Sequence, residues 1–363
     1  MKILHLYKDY YPVLGGIENH VKVLAEAQAA AGHQVTVLVC DPGRRTRTET
    51  LNGVAVIKAG RLMTAASMPL SFAQPWIAAR LHPDIVHVHS PYPLGEVTAW
   101  LLKPRTPLVI THHSDVVRQQ GWLRLYGPLL RRVLRHADRI LATSPRYIAA
   151  SPWLNPVEGK CAVIPLGVDA QRFRPPAEPF DGPPTLLAVG RLRYYKGLDA
   201  LLRALTSLPD VHLNIVGTGP MEAEWRTLSQ TLGLQERVRF LGEVDDDALP
   251  DQYHRAHLFV LPANARSEAF GTVLLEAMAS GLPCVSTEVG TGTSWVVQDG
   301  VTGCVVPPND PAALVEAIRG LLETPGVLET MGCAARVRVE EEFTQERMIE
   351  RVMRVYESLL QGA

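Results

Sequence analysis

Residues 268–283 read E-A-F-G-T-V-L-L-E-A-M-A-S-G-L-P. The apolar run at 258–262 predicts a strand before them, and the stretch itself predicts a loop and then a helix that ends near Gly281. A loop between a strand and a helix N-terminus is where an open α/β sheet binds anions, because the first helical amides lack partners. Gly271 would let the backbone approach a ligand, and Thr272 can cap the helix or donate a hydroxyl.

Two carboxylates stand in this stretch. Glu268 is expected in the loop and Glu276 about one turn inside the helix, so they cannot be close partners. We expect each to hold a separate part of one long ligand by accepting hydrogen bonds from hydroxyl groups. The alternative is a surface glutamate before an ordinary buried helix, because the spacing alone is unspecific. The apolar residues expected to pack the helix are Val273, Leu274, Leu275, Ala277 and Met278.

Length and composition indicate a two-domain globular enzyme. The chain has 363 residues, 47% hydrophobic residues and a net charge of −1, which does not favour nucleic acid as a partner. The cysteines are far apart, without a C-x-x-C pair, which predicts buried reduced thiols in a cytoplasmic protein. The first residues already resemble a strand rather than a signal peptide, and no run of 18 apolar residues predicts a membrane span.

Strands and helices alternate along both halves of the chain, which predicts two doubly wound, Rossmann-like domains. A proline-rich segment separates them. The expected domains are 1–170, on the acceptor side, a linker at 171–184, a nucleotide-sugar domain at 185–342 and a C-terminal helix at 343–363. The predicted strands of the first half are 3–7, 34–39, 84–89, 107–111 and 139–143, and those of the second are 185–189, 211–216, 237–241, 258–261, 283–286 and 303–306.

Two loops of the first half carry candidate ligand residues. Gly15 and Gly16 precede the first helix and can present amides to a phosphate, although a flexible helix entry is an equal alternative. Their spacing is not that of a nicotinamide site. His113 follows a predicted strand end and can donate to a sugar hydroxyl, with Asp115 beside it. Most single histidines are structural, and we interpret His5, His87 and His89 in that way.

The loop at 190–197 carries cations near a helix start. Arg191 and Lys196 could meet one diphosphate together with helix amides, although loop cations are usually only solvated. Arg193 and the glycine turn at 215–220 are weaker candidates. The acidic run at 245–247 could suggest a metal site, but it precedes a helix and fits a cap and first turn better. We therefore expect no metal.

Basic and apolar residues interleave over 103–139. A basic amphipathic helix of this kind can lie on an anionic membrane surface. The alternative is a solvated basic face on a helix whose apolar side packs into the core.

The motifs at 15–18, 111–115, 190–197 and 268–276 together resemble those of retaining glycosyltransferases of family four, which have the GT-B fold. The resemblance covers nearly the whole chain. It implies an α/β protein with two Rossmann-like domains facing each other across a cleft, and a C-terminal helix that crosses back to the first domain.

The resemblance also implies roles for the candidate residues. The catalytic pair would be Glu268, near the donor sugar, and His113. The donor-binding residues would be Gly15, Gly16, Arg191, Lys196, Val244, Phe270, Gly271, Thr272 and Glu276, with Glu276 on the ribose. Asp115 and Glu18 are candidates for acceptor contacts.

The implied reaction moves a hexose from a nucleoside-diphosphate sugar to a hydroxyl of a glycan or a lipid-linked acceptor, with retention, by front-face attack and without a metal. GDP-mannose is the first guess for the donor, ahead of UDP-glucose and UDP-N-acetylglucosamine. The rival functions are a nucleotide-sugar epimerase or hydrolase on the same scaffold and a non-catalytic nucleotide-sugar sensor. A nicotinamide dehydrogenase ranks behind them, because the glycine fingerprint is missing.

Overall fold

The computed structural model describes residues 1–13, 15–65, 68–102, 106–115 and 120–362. The chain divides into two compact units. The first is Met1–Pro165 with Glu346–Ala363, and the second is Leu166–Gln345.

The first unit is built on a sheet with the strand order β10-β9-β8-β7-β1-β2-β4-β3. Neighbours are parallel except β3, which runs antiparallel to β4. A separate antiparallel pair is formed by β5 and β6. The strands are β1 (Lys2–Leu6), β2 (Gln34–Cys40), β3 (Arg47–Leu51), β4 (Val54–Ala59), β5 (Met63–Ala65), β6 (Met68–Leu70), β7 (Ile85–Ser90), β8 (Leu108–His112), β9 (Arg139–Ala142) and β10 (Cys161–Val163).

Helices connect these parallel strands. They are α1 (Gly16–Ala30), α2 (Ala73–Leu81), α3 (Pro93–Leu102), α4 (Gln120–His136) and α5 (Pro145–Ala150). Strands buried on both faces favour continuous apolar or β-branched sequence, as in most of β2 and β8, whereas β1 and β7 also carry buried histidines.

The second unit has an entirely parallel sheet with the order β13-β12-β11-β14-β15-β16. Its strands are β11 (Thr185–Val189), β12 (His212–Val216), β13 (Val238–Gly242), β14 (Leu258–Leu261), β15 (Cys284–Thr287) and β16 (Gly303–Val306). The helices that follow in the chain are α6 (Leu198–Ala204), α7 (Glu222–Thr231), α8 (Leu249–His254), α9 (Thr272–Ala279), α10 (Thr293–Val296), α11 (Pro311–Glu323), α12 (Val327–Glu342) and α13 (Gln345–Gln361).

The last helix, α13, packs into the first unit. Met348, Val352 and Tyr356 are buried in one apolar cluster with Ile3 of β1 and Leu24 of α1. A helix that follows the second unit in sequence thus completes the core of the first, as the resemblance implied.

The predicted strands agree with the structure to within about two residues at each end, but β10 and the antiparallel pairs β3–β4 and β5–β6 were missed. Both pairs lie between residues 47 and 70, where no strand was predicted. The strand β3 reads R-T-E-T-L, and its first four residues are exposed. An edge strand with this composition lacks the apolar signal of a buried strand.

The structure corrects the expectation that the cysteines are buried. All five are free, but only Cys40 and Cys284 are buried, whereas Cys161 and Cys304 are partly buried and Cys333 is exposed. It lies on α12, whose buried face carries Ala335 and Val339 instead. Among the described residues, no helix is both long and apolar enough to cross a membrane.

Candidate active site

The site of the second unit lies where its strand order reverses. The first strand of the unit, β11, pairs with β12 on one side and with β14 on the other. In an open parallel sheet, ligands bind outside the carboxyl ends of the strands at such a switch point. The two loops that leave it contain residues 190–197 after β11 and residues 262–271 after β14.

These two loops are joined by an ion pair. The Nζ of Lys196 lies 2.8 Å from the Oε2 of Glu268, and only 12% and 11% of the two side chains are exposed. Lys196 ends a short 3-10 turn, and Glu268 lies in the loop, where the sequence predicted it. The structure therefore brings together two residues for which the resemblance implied separate parts of the donor.

Two glycines make this approach possible. Gly190 has a φ of +135°, and a Cβ there would lie 3.1 Å from the Nζ of Lys196. Gly197 has a φ of +64°, and a Cβ there would lie 2.1 Å from the carbonyl oxygen of Pro262. A side chain at Gly197 would therefore force the two loops apart.

The helix α9 begins after Gly271, which has a φ of +80°. Its packing face is the predicted one, since Leu274, Leu275, Ala277 and Met278 are fully buried, while Val273 is partly buried. Phe270 is also buried in this core, which leaves its backbone rather than its ring to meet a ligand.

Glu276 is half-buried on α9, with its carboxyl group turned into the protein towards the buried Tyr253. Its Oε2 accepts a hydrogen bond of 2.6 Å from the hydroxyl of Tyr253. Burial raises the pKa of the Glu276 carboxyl to about 7, against the opposing effect of the Tyr253 hydrogen bond. A carboxyl with this pKa changes its protonation near neutral pH, and Tyr253 is a partner that the sequence did not single out.

The remaining second-unit candidates lie around this centre. Arg191 is exposed after β11, and Val244 is partly buried against the core. The acidic run precedes a helix, as predicted: Asp246–Ala248 forms a 3-10 turn that leads into α8. The predicted side-chain cap is absent, because Asp245 makes no capping hydrogen bond.

In the first unit, Gly15 and Gly16 lie at the N-terminus of α1, which follows β1. A Cβ at Gly15 would lie 2.2 Å from the Oε2 of Glu18, whereas nothing described lies within 4 Å of a Cβ at Gly16. Glu18 is almost buried, and its Oε1 lies 3.5 Å from the Nζ of Lys8. The missing side chain of Gly15 thus makes room for the carboxylate of Glu18.

His113 follows β8 and is joined to other buried histidines. Its Nε2 lies 3.1 Å from the Nδ1 of His89, and the Nε2 of His89 lies 3.1 Å from the Nδ1 of His5. Burial lowers the pKa of all three imidazoles, that of His5 to about 4. His5 and His89 are thus buried and hydrogen-bonded within the unit, in agreement with the structural role predicted for them.

His20 and His87 complete this cluster. Suitable nitrogens of His5, His87 and His89 lie within 4.8 Å of one another, as do those of His20, His89 and His113, so either trio has the side chains to hold a metal ion. The Nε2 of His20 is buried without a hydrogen-bond partner among the described residues.

Asp115, the other candidate in this loop, is engaged within the unit. Its Oδ1 accepts a hydrogen bond of 2.7 Å from Ser151 and lies 3.0 Å from the Nε2 of His112. These contacts hold the loop after β8, and a contact of Asp115 with the acceptor stays a prediction.

Comparison with known proteins decides the family. Residues 14–172 match the family described as Glycosyltransferase Family 4, and residues 169–338 match the one described as Glycosyl transferases group 1. The O-antigen chain mannosyltransferase C of Escherichia coli is 38% identical over 374 residues, with 100% of both chains covered. The D-rhamnosyltransferase WbpZ of Pseudomonas aeruginosa is 38% identical over 354 residues, which cover 95% of this chain and 92% of that protein.

The chain belongs to glycosyltransferase family four. The sucrose-phosphate synthase of Thermosynechococcus elongatus matches the fold of this glycosyltransferase with a TM-score of 0.81 at 27% identity, over 100% of both chains. The resemblance inferred from the motifs and the α/β GT-B fold class are both confirmed. The roles of the individual residues stay predictions.

Sequence reasoning missed the partners that orient the candidate residues of this glycosyltransferase. Tyr253 on Glu276 and Gln28 on His5 are the clearest cases. Neither Tyr253 nor Gln28 belongs to a sequence motif, because each bonds a side chain that lies beside it only in the folded protein. A usable signal was the presence of three histidines on predicted buried strands, at positions 5, 87 and 89.

Proposed function

We propose that this glycosyltransferase moves a hexose from a nucleoside-diphosphate sugar to a hydroxyl of a glycan or lipid-linked acceptor, with retention at the anomeric carbon. The observation that carries the proposal is the Lys196–Glu268 pair at the switch point of the second sheet. A cation and a carboxylate at this place suit a ligand with an anionic diphosphate and a hydroxyl-bearing sugar.

The diphosphate would replace Glu268 as the ion-pair partner of Lys196 and would also bind Arg191 and the N-terminal amides of α9. Glu268, released from its partner, would accept a hydrogen bond from a hydroxyl of the donor sugar. Glu276 would accept hydrogen bonds from the ribose hydroxyls, and Val244 would contact the nucleobase of the donor. In the first unit, His113 and the Gly15–Gly16 loop would keep the roles that the resemblance implies, with Glu18 and Asp115 toward the acceptor.

In the proposed reaction, the bond from the anomeric carbon to the diphosphate oxygen breaks, and the acceptor oxygen bonds to the same face of that carbon. The proton of the acceptor hydroxyl passes to the leaving phosphate. Fixed positive groups would stabilise the charge that grows on that phosphate. Because Lys196, Arg191 and helix amides supply this charge, we propose that the reaction needs no metal.

The activities named for the two relatives support the choice of donor and acceptor. One is a mannosyltransferase of an O-antigen chain and the other is a rhamnosyltransferase. We therefore keep GDP-mannose as the first donor to test, and a surface glycan or its lipid-linked precursor as the acceptor. A cytoplasmic location belongs to the same proposal.

A thermal-shift panel of nucleoside diphosphates and nucleotide sugars, with magnesium or with EDTA, tests the proposal. One nucleotide series should raise the unfolding midpoint, and EDTA should not change the shift. The absence of a shift with every diphosphate would refute nucleotide-sugar binding. Consumption of the shifting donor without any acceptor would favour a hydrolase or epimerase instead.

Contact with an anionic membrane is a separate part of the proposal. The described residues of α4 bury Leu130, Val133 and Leu134, while Arg124 and Arg135 are exposed. Lys103, Arg105 and Arg118 of the basic segment lie outside the described residues. Co-sedimentation with anionic vesicles should fall with salt and with Arg124→Gln/Arg135→Gln, but not with Arg203→Gln in the second unit. Vesicle binding that is unaffected by both salt and the two arginine substitutions would refute the membrane contact.

A further inference from the structure

A chain of buried hydrogen bonds runs across three neighbouring strands of the first sheet to His113. It begins at Gln28 on α1, whose Oε1 lies 2.8 Å from the Nε2 of His5 on β1. It continues from His5 to His89 on β7 and from His89 to His113 after β8, at 3.1 Å in each step. None of the four side chains is more than 5% exposed. Water therefore does not compete for these contacts.

The chain has a direction, because each member has a fixed donor and acceptor capacity. A neutral imidazole has one N–H donor and one acceptor nitrogen, and an amide oxygen only accepts. The Nε2 of His5 must therefore donate to Gln28, which leaves its Nδ1 as an acceptor. His89 must then donate from Nε2 and accept at Nδ1. By the same step, His113 donates from Nε2, and its Nδ1 keeps a lone pair.

The direction depends on the orientation of the Gln28 amide, and α13 fixes it. The Nε2 of Gln28 lies 3.5 Å from the Sδ of Met353, which can only accept. The hydroxyl of Tyr356 lies 2.5 Å from the Nδ1 of His87, while the Nε2 of His87 lies 2.6 Å from the Oγ1 of Thr111. Tyr356 is also hydrogen-bonded to the side chain of Gln28, so when its hydroxyl donates to His87, its oxygen accepts from the Gln28 amide.

The imidazoles are neutral, as this argument requires. Burial lowers the pKa of His5 to about 4, and it lowers the pKa values of His89 and His113 well below the usual 6.5. The neighbouring histidines act in the same direction, since His87 and His20 also repel a proton on His89.

We propose that Gln28, His5 and His89 are positioning residues that fix His113 as its Nε2–H tautomer, with the Nδ1 lone pair left for a ligand. Among the described residues, no hydrogen-bond partner is seen for this Nδ1. The Nδ1 of His113 would accept a hydrogen bond from a ligand hydroxyl. Because it carries no proton, it could not donate a hydrogen bond to a phosphate oxygen. This inference rests on the proposed function, in which His113 meets the sugar or the acceptor, and it reverses the donor role that the sequence suggested.

A metal ion would give the opposite result. The trio His20, His89 and His113 has nitrogens close enough to share an ion. Coordination uses the lone pairs of deprotonated nitrogens, so a metal at this trio would displace the N–H that joins His113 to His89. Fixed tautomers and a bound metal are therefore exclusive and can be told apart.

Long-range ¹H–¹⁵N NMR of the ¹⁵N-histidine-labelled full chain tests the inference, because it reads which ring nitrogen carries the proton. The imidazoles are assigned from single-histidine variants, and the metal content is measured on the same sample. We expect His5, His89 and His113 each in a single Nε2–H form, without stoichiometric metal. An Nδ1–H form of His113, or one bound metal ion per chain, would overturn the proposal.

Two variants test whether the chain causes this tautomer. Gln28→Met removes the acceptor at nearly constant length, and Tyr356→Phe removes the hydroxyl that orients Gln28. Each should give His113 a mixture of tautomers, whereas Leu24→Met, on the same helix and equally buried, should leave a single form. A His113 that stays wholly in its Nε2–H form in both folded variants would contradict the positioning role.

Turnover provides the second readout. Gln28→Met should lower kcat by about tenfold, the effect of losing one well-placed hydrogen bond, and Leu24→Met should change it by no more than about twofold. Because the tautomers are read without any substrate, a failed donor panel with an intact Nε2–H His113 would reject the proposed function alone. An active enzyme with an Nδ1–H His113 would reject only this inference.

Discussion

The Nζ of Lys196 lies 2.8 Å from the Oε2 of Glu268, across the two loops that leave the switch point of the second sheet. Each residue thus satisfies the other while no ligand is bound. A diphosphate that binds Lys196 would break this ion pair and leave the Glu268 carboxylate free to accept a hydrogen bond from another group. Binding of the diphosphate and binding of the sugar of a nucleotide sugar would therefore be coupled through this pair.

The first prediction concerns the stability of this pair. Lys196→Met should lower the free energy of unfolding of the unliganded protein by about 3 kcal/mol, because the Glu268 carboxylate is left nearly buried and unpaired. Adding Glu268→Gln to that variant should restore part of the loss. Thermal unfolding of both single variants and of the double variant measures this coupling. Additive effects would mean that the ion pair contributes nothing.

The second prediction concerns catalysis. Glu268→Gln and His113→Ala should each lower kcat by about 100-fold, because the first removes the carboxylate charge and the second removes the imidazole expected beside the donor sugar. The matched control is Glu243→Gln, since Glu243 is exposed near the same edge of the sheet and hydrogen-bonds only Thr218 in the described structure. Steady-state kinetics with the donor found in the thermal-shift panel measures the change. Near-normal turnover in both site variants would show that the site assignment is wrong.

The third prediction concerns the approach of the two loops. Gly197→Ala should destabilise the protein by about 3 kcal/mol, because the new Cβ would clash with the carbonyl oxygen of Pro262 at a positive φ. Gly233→Ala is the matched control. Its φ of +69° is similar, but nothing described lies within 4 Å of the new Cβ, so only about 1 kcal/mol should be lost. Chemical denaturation of the two variants compares them, and equal losses would contradict the clash.

The fourth prediction concerns pH and nucleotide affinity. The pKa of Glu276 is raised to about 7, so its carboxyl becomes protonated as the pH falls through that value. If the carboxylate holds the ribose, the affinity for nucleoside diphosphate should fall by up to tenfold per pH unit below about 7. Calorimetric titrations from pH 5.5 to 8.5 (about 1.5 units on either side of the pKa) would measure it. Glu276→Gln should weaken the pH dependence of the affinity. The dependence that remains in this variant arises from protonation of the nucleotide phosphate itself.

The fifth prediction concerns pH and folding. The pKa values of His5 and His20 are lowered to about 4 in the folded protein, and those of His87, His89 and His113 are lowered as well. Below pH 6.5 the unfolded chain therefore binds more protons than the folded one, so stability falls as the pH drops from 6.5 towards 4. Each such histidine contributes about 1.4 kcal/mol per pH unit in that window.

Urea unfolding at several pH values measures this slope. His20→Leu should reduce the pH dependence of stability by the equivalent of about one proton. It should change the free energy of unfolding little at neutral pH, because the Nε2 of His20 is already buried without a described partner. His136→Leu, at an exposed position, is the control and should leave the slope unchanged. A pH-independent stability between 6.5 and 4 would contradict burial of the cluster in its neutral form.

Much of the fold could be predicted from the sequence because its parallel strands are buried on both faces. Such strands need short continuous apolar runs, and β14 was predicted with its observed bounds. The hairpin of β3 and β4 was not predicted, because β3 is polar and exposed, and its pairing depends on a partner that lies beside it only in the folded sheet.

The sequence by itself determined the family, the alternation of strands and helices, and the loops that carry candidate ligand residues, because these are local patterns. Only the tertiary structure decided which of those residues meet. His5 and His89 are 84 positions apart, and Gln28 and Met353 are 325 apart, yet both pairs are in contact. Their contact follows from strand order and from the return of α13, which no local pattern encodes. The pairing of Lys196 with Glu268 has the same origin, since β11 and β14 are neighbours only in the folded sheet.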